Sequence, residues 1–224
     1  METTIRPFFL TTIGKKYLMA LTGLLWAGFI FSHMAGNLLM LISPDLYNSY
    51  GHMITSGNLI YFIEALLIAS ILTHILCAIS LTKMNQASGG AHRYAKQTNG
   101  EKAVTKASKT MAIQGSIILV FIISHISTFK YGEYYETTVN NIVMRDLYRL
   151  IFEVFHKPGF IFWYLISLVL LGFHLSHGFG SLFQSLGIKN NRFAQVINKL
   201  SILYAVVVAG GFIIQPIYIY FFAK

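Results

Sequence analysis

The stretch LGFHLSHGFGSLFQSLG, residues 171–187, carries the features from which the fold follows. It completes an apolar run that begins near residue 159, and it holds two histidines three residues apart, His174 and His177. A run of about 20 apolar residues is long enough to cross about 30 Å of hydrocarbon as a helix. An ionisable side chain inside such a helix is costly and normally faces a bundle interior or a functional group. The stretch therefore predicts a membrane helix that carries a functional histidine.

The composition of the whole chain agrees with a membrane protein. Hydrophobic residues make up 55% and charged residues 11% of the 224 residues, and the mean hydropathy is +0.60. The net charge of +9 is divided among short segments between apolar runs, which favours positively charged loops over a nucleic-acid-binding face. The single cysteine, Cys77, excludes an internal disulfide, a cysteine-ligated zinc or iron–sulfur centre and covalently attached haem.

Five apolar runs predict five transmembrane helices in one domain, residues 1–224. We expect an all-α membrane protein with no second domain and no nucleic-acid partner, whose first run is a retained helix rather than a cleaved signal peptide. Turn-forming residues such as SPD at 43–45 and KPG at 157–159 separate the runs. The runs lie at 17–42, 59–83, 110–130, 159–186 and 199–222.

The distribution of Lys and Arg predicts the orientation. Twelve of them fall in the N-terminal segment, the second loop and the fourth loop, and five fall on the other side. Because cytoplasmic loops carry the excess of positive charge, we expect the N-terminus to be cytoplasmic. The long third loop, 131–157, has an amphipathic stretch that predicts a short helix in the outer interface.

Eight histidines are present, and their depth separates them into two groups. Three of them, His52, His92 and His156, fall in loops or at helix ends and are expected to be ordinary polar surface residues. The other five lie inside four consecutive runs. At a rise of about 1.5 Å per residue, two of these lie in the outer half of the membrane and the rest in the inner half. The outer ones are His33 and His125, and the inner ones are His74, His174 and His177.

Two histidine pairs at two depths, each drawn from two different helices, predict two bis-histidine haem sites. A zinc or non-haem iron site is a poorer match, because Glu64 is the only acid in an apolar run and lies far in depth from His74. Taken singly, each histidine has a plainer alternative, a hydrogen bond to a neighbouring helix. Depth alone slightly favours His177 over His174 as the second inner ligand, because it better matches the depth of His74, so the choice needs another argument.

Four motifs resemble the di-haem cytochrome b membrane-anchor subunit of succinate:quinone oxidoreductases, the family of succinate dehydrogenase and fumarate reductase, in its single-polypeptide five-helix form. The resemblance covers essentially the whole chain and rests on the order and spacing of the motifs. They are GFIFSHMAGNL (28–38), LTHILCA (72–78), ISHIS (123–127) and HLSHGFGSLFQSLG (174–187).

The resemblance implies a ligand set and a set of partners. It pairs His33 with His125 on the outer b haem and His74 with His174 on the inner one, with His177 as an alternative ligand or a neighbour of a haem propionate. It also implies menaquinone, or another quinone, as substrate. FAD and iron–sulfur clusters are expected only on a flavoprotein and an iron–sulfur subunit at the cytoplasmic side of a bacterial inner membrane. Dicarboxylate chemistry then belongs to those partners, and this chain is a non-flavin subunit of the enzyme.

One position departs from the family pattern, and the outer rim leaves the pattern open. Some relatives carry a glutamate two residues before the last ligand, where this chain has Gly172. Glu64, Tyr47 and His52 lie at the predicted outer rim, where a proton-exchanging group would serve a quinone site, although ordinary interfacial polarity explains them better.

Two other functions remain open from the sequence. One is a di-haem anchor of another oxidoreductase, such as a formate dehydrogenase or hydrogenase. The other is a haem-free transporter with a histidine proton relay, which the lack of a buried acid beside the histidines disfavours.

Overall fold

Five long helices dominate the structure, a computed structural model that describes residues 7–88, 106–190 and 192–223. Each of the five is long and apolar enough to cross a membrane, in agreement with the sequence prediction. The candidate spans cover Thr12–Leu41, Leu59–Asn85, Thr110–Lys130, Pro158–Ser185 and Ala194–Phe221. The helices themselves are α1 (Thr12–Asn37), α3 (Leu59–Ser88), α4 (Lys106–His125), α6 (Pro158–Ser185) and α7 (Ala194–Phe221).

The ends of these helices have local causes. The hydroxyl of Thr11 accepts a hydrogen bond from the Gly14 amide and caps α1. Pro158 occupies the first turn of α6, where a missing amide hydrogen costs nothing. After α6, Gly187 takes a positive φ of 75°, a conformation that glycine adopts without strain, and the chain turns away. A π-helical turn, Ile126–Lys130, continues α4 directly after His125.

One end of the bundle carries a cap built from the first and third loops, residues 43–56 and 131–157. The first loop forms α2 (Pro44–Thr55), which the sequence analysis treated as a turn. The third loop forms a hairpin of β1 (Glu136–Val139) and β2 (Ile142–Arg145), which was also not predicted, and then α5 (Leu147–Phe155). The short amphipathic helix expected in this loop is therefore found, preceded by a two-stranded sheet.

Residue chemistry explains each element of the cap. Ser43 caps α2 by accepting from the Leu46 amide, with Pro44 in the first turn. The strands pair in antiparallel register from Glu136–Arg145 to Val139–Ile142. Asn140 and Asn141 between them both have positive φ, 51° and 63°, as a two-residue type I′ turn requires. Helix α5 buries one apolar face against the bundle, formed by Leu150, Ile151, Val154 and Phe155.

Helix packing places α1, α3, α4 and α6 in a ring, with α7 outside it. Helix α1 packs on α3 and α6, α4 packs on α6, and α3 touches α4 only sparsely. Helix α7 packs along α6 and against α1. Within the described residues, the diagonal pairs α1–α4 and α3–α6 do not pack closely against each other. The interior of the ring thus lies between diagonally opposed helices.

Candidate functional site

The first histidine pair lies at the cap end of the ring, across the diagonal between α1 and α4. The ring centroids of His33 and His125 are 5.9 Å apart, and the ring planes are perpendicular. A metal ion bonded to one nitrogen of each ring, with bonds of about 2 Å, holds two imidazole centroids about 6 Å apart. We call His33 and His125 the cap-end pair, which the sequence analysis named the outer pair.

An aromatic shell surrounds the cap-end pair. The ring of Phe29 stacks on His33 at 5.4 Å with an interplanar angle of 14°, and Phe212 of α7 lies 5.9 Å away. Phe121 and Phe129 flank His125 at 5.9 and 5.3 Å. These four rings make the surroundings of the cap-end pair apolar.

Polar side chains contact one nitrogen of each cap-end histidine. The Tyr164 hydroxyl lies 3.1 Å from Nδ1 of His125. The Asn37 amide nitrogen donates to the His33 carbonyl oxygen at 2.7 Å and lies 3.3 Å from Nδ1 of the same residue. Tyr47 in turn donates to Oδ1 of Asn37 at 2.9 Å. Burial, with a smaller effect of Tyr50, raises the pKa of Tyr47, so this hydroxyl keeps its proton and remains a donor.

The second pair lies at the far end of the ring, on the other diagonal. His74 of α3 and His174 of α6 are close enough to interact electrostatically. Each ring lies beside a glycine of a neighbouring helix, where an added Cβ would come within 3.7 Å of Cε1. His74 has Gly23 of α1 beside it, and His174 has Gly115 of α4. We call His74 and His174 the far-end pair, which the sequence analysis named the inner pair.

The far-end histidines differ in what surrounds Nδ1. The Thr22 hydroxyl of α1 lies 3.1 Å from Nδ1 of His74. Nδ1 of His174 is buried and has no hydrogen-bond partner among the described residues. His177 lies one helical turn further on and interacts electrostatically with both His174 and Lys189. His174, beside Gly115, thus lies at the level of His74, beside Gly23, and His177 lies one helical turn further along α6.

On each of three helices, the residue beside the far-end pair and the residue at the cap-end pair are ten positions apart. Gly23 and His33 are ten residues apart on α1, and Gly115 and His125 are ten apart on α4. On α6, Tyr164 at the cap end and His174 at the far end are also ten apart. Ten residues correspond to a rise of about 15 Å along a helix. The ring therefore holds two histidine pairs at two levels about 15 Å apart.

The free ring nitrogens fit axial ligation of haem. Among the described residues, the side-chain hydrogen bonds of His33, His74 and His125 are all at Nδ1, and none is at Nε2 of these three residues or of His174. The His74 ring also forms a hydrogen bond with the backbone of Met19. A haem iron takes its equatorial nitrogens from the porphyrin and needs two protein ligands, which each pair supplies. Residues 7–88, 106–190 and 192–223 contain no cluster of three or more His, Cys, Asp or Glu side chains that could hold a metal ion directly. The donor set thus fits haem, and the ligand roles stay a prediction.

The residues expected at the rim have partners of their own. Glu64 forms an ion pair with Lys130, which joins α3 to the π-helical turn after His125. Tyr47 is buried and donates to Asn37, and His52 lies in the last turn of α2. His156 ends α5, where Nδ1 lies 2.8 Å from the Phe152 carbonyl oxygen, and His92 lies outside the described residues.

Sequence reasoning missed Thr22 and Tyr164, because their contacts with the histidines join different helices. Thr22 is 52 residues from His74 and Tyr164 is 39 residues from His125. The equal ten-residue offsets on three helices were a signal for these contacts in the sequence, but their use requires knowledge of which helices are neighbours.

Comparison with known proteins adds no assignment. No protein-family model, no curated protein and no solved structure matches this chain. The class that fold and site define is therefore a five-helix chain of membrane-spanning length with two interior histidine pairs.

Proposed function

We propose that this chain is the di-haem cytochrome b membrane subunit of a succinate:quinone oxidoreductase, either a succinate dehydrogenase or a fumarate reductase. The single observation that carries the proposal is the placement of four histidines as two facing pairs, on opposite diagonals of one helix ring and at two levels. A chance set of polar histidines has no reason to pair in this way, because each one can satisfy itself with any neighbouring helix.

Each haem would supply a one-electron carrier within the membrane. His33 and His125 hold and orient the group at the cap end, and His74 and His174 hold the one at the far end. The side chains at Nδ1 orient three of these rings, and the apolar shell keeps water away from the cap-end pair. Glycines 23 and 115 place only backbone beside the far-end rings, where an added Cβ would already lie 3.7 Å from Cε1 of the histidine.

The proposal includes an orientation, a compartment and partners. The cap faces outward and the N-terminus lies in the cytoplasm of a bacterium, in whose inner membrane the chain is embedded. A flavoprotein with FAD and an iron–sulfur subunit dock on the cytoplasmic side, near the far-end pair. Menaquinone exchanges electrons at the other level. The basic loop 83–109 is the docking surface that charge suggests, and most of it lies outside the described residues.

The first test is the haem content of the full chain purified in detergent. We expect a reduced-minus-oxidised spectrum of low-spin b haem and a pyridine haemochrome count of two haems per chain. Single replacement by alanine of any one of the four histidines lowers this count to one. A colourless protein, or two haems in all four variants, would overturn the proposal.

A second test addresses the partners. The chain is purified under mild conditions from its own cells, and the co-purifying subunits are identified by their flavin and iron–sulfur content and their succinate or fumarate turnover. A di-haem chain accompanied by a molybdenum- or nickel-containing partner instead belongs with the formate dehydrogenase or hydrogenase anchors.

A further inference from the structure

Thr22 forms a contact in which the position of the hydroxyl hydrogen can be worked out. Its Oγ1 donates to the Leu18 carbonyl oxygen at 2.8 Å, and the Met19 carbonyl oxygen lies within 3.2 Å. A threonine hydroxyl has one hydrogen and two lone pairs. Because the hydrogen is directed to the carbonyls of its own helix, the hydroxyl presents a lone pair to any third partner. That third partner is Nδ1 of His74, 3.1 Å away.

A hydrogen bond between an oxygen lone pair and an imidazole nitrogen requires the hydrogen to be on the nitrogen. Nδ1 of His74 therefore carries the proton, and Nε2 of the neutral ring is left with a bare lone pair. Free histidine in water favours the opposite tautomer, with the proton on Nε2. The protein fixes the less common form at this residue by contact with a neighbouring helix.

We propose that Thr22 is the positioning residue of His74, holding its imidazole in the Nδ1–H tautomer with Nε2 free to bind a metal. The contact joins α1 to α3 and lies directly beside Gly23, which gives the ring its space. The tautomer itself does not depend on haem. Its use in axial ligation rests on the proposed function, because a ligating imidazole needs its other N–H on an acceptor.

The remaining contacts of the histidines make His74 distinctive. At His174 no acceptor reaches Nδ1 among the described residues. At His33 the neighbouring Asn37 presents its amide nitrogen, a donor. At His125 the Tyr164 hydroxyl has no second contact that directs its hydrogen. Among the contacts whose hydrogens are directed by other bonds, Thr22 is thus the side chain that presents a lone pair, rather than a hydrogen, to the ring nitrogen. The backbone of Met19, on the same helix, also forms a hydrogen bond with the His74 ring.

The tautomer is tested by ¹⁵N NMR of the histidine-labelled full chain in detergent, with haem removed where the preparation contains it. The His74 signals are assigned by their loss in His74→Ala. We expect a protonated Nδ1 and an unprotonated Nε2 in the wild-type chain and in Thr22→Ser, which keeps the hydroxyl. Thr22→Val, which keeps the shape and loses the acceptor, shifts His74 toward the Nε2–H form.

Thr73→Val is the matched control, because the Thr73 hydroxyl donates to the Ala69 carbonyl oxygen in the same way but makes no hydrogen bond to a histidine ring among the described residues. It leaves the His74 signals unchanged. A wild-type His74 in the Nε2–H form overturns the proposal even where Thr22→Val fails to fold. The same result follows if Thr22→Val folds and leaves the tautomer unchanged.

A redox titration of the haem-loaded chain separates this proposal from the assignment of function. An N–H hydrogen bond makes an axial imidazole a stronger electron donor, which favours ferric iron. Thr22→Val therefore raises the midpoint potential of the haem lost in His74→Ala and leaves that of the other haem unchanged; Thr73→Val changes neither. Two haems with unchanged potentials in Thr22→Val overturn the ligation role alone. A chain without haem overturns the proposed function and leaves the tautomer to be judged by NMR.

Discussion

Replacement of Asn48 by alanine is expected to detach the two halves of the cap from each other. Asn48 is only 2% exposed, and its amide makes two hydrogen bonds to a segment about 100 residues away in sequence. The amide nitrogen donates to Oδ1 of Asp146 at 2.9 Å, and the amide oxygen accepts from the Tyr148 backbone N–H at 3.0 Å. Asp146 also caps α5 by accepting from the Arg149 amide at 3.0 Å.

The size of the effect follows from these two bonds. A hydrogen bond to a charged group contributes about 1.5–3 kcal/mol, and a buried N–H left without a partner costs about 1–3 kcal/mol. Water entering the site recovers part of this, so we expect a loss of about 2–4 kcal/mol in the stability of the cap. Because 1.4 kcal/mol is a factor of ten, α5 should open about 30 to 800 times more often.

Hydrogen exchange of the chain in nanodiscs, read by mass spectrometry on peptides from residues 146–155, measures this opening. Asn58→Ala is the control, because Asn58 is exposed on the same side of the bundle and its side chain makes no hydrogen bond to the described residues. Peptides of α5 that exchange no faster in Asn48→Ala than in Asn58→Ala would show that the two bonds do not hold the cap together.

Three further outcomes are expected. Gly36→Ala should destabilise the chain by about 1–3 kcal/mol in thermal denaturation, because its Cβ meets the phenol ring of Tyr50, whereas Gly28→Ala, with open space around its Cβ, should have little effect. The hydrogen bond from the Tyr135 hydroxyl, and to a smaller extent that from Arg149, holds the pKa of Glu153 below its ordinary value. The resulting stabilisation of the folded chain is present above the pKa that Glu153 has in the unfolded chain, and it is lost as the pH falls through the pKa in the folded chain. The protection factors of the α5 amides, which correct exchange for its intrinsic pH dependence, should fall on acidification, and Glu153→Gln should remove that fall. His177→Ala should retain two haems per chain, and loss of one haem would move the ligand role from residue 174 to residue 177.

The helices of membrane length could be predicted because they depend on composition alone. A run of apolar residues is recognised without knowledge of its neighbours, and the five predicted runs coincide with the five long helices to within a few residues. The depth of each histidine could be estimated in the same way, from its distance to the end of its own run.

Of the cap, the sequence predicted α5, whereas α2 and the hairpin were not predicted because their signals are local and compete with others. SPD at 43–45 is a turn signal, yet it is also a helix start, with serine as the cap, proline in the first turn and an acid beside it. The pair Asn140–Asn141 between two β-branched stretches was the signal for the hairpin. The amphipathic pattern of the surrounding loop predicts a helix, and this competing signal favoured a helix over a hairpin.

The neighbours of the histidines depend on which helix faces which, and no single run of sequence encodes that. Tyr164 was seen only as part of an apolar run, although its hydroxyl lies beside His125. Thr22 was not singled out at all, because a threonine that bonds its own helix is common in membrane helices.

The ten-residue offset sets the distance between the two levels in the same way on three helices. Substitutions between the levels change only local packing, whereas one inserted or deleted residue would turn everything beyond it by about 100° and move it by about 1.5 Å. On α1 such a change would carry His33 off the diagonal while leaving Gly23 in place beside His74. Evolution of this chain is therefore freer in the identity of the residues between the levels than in their number.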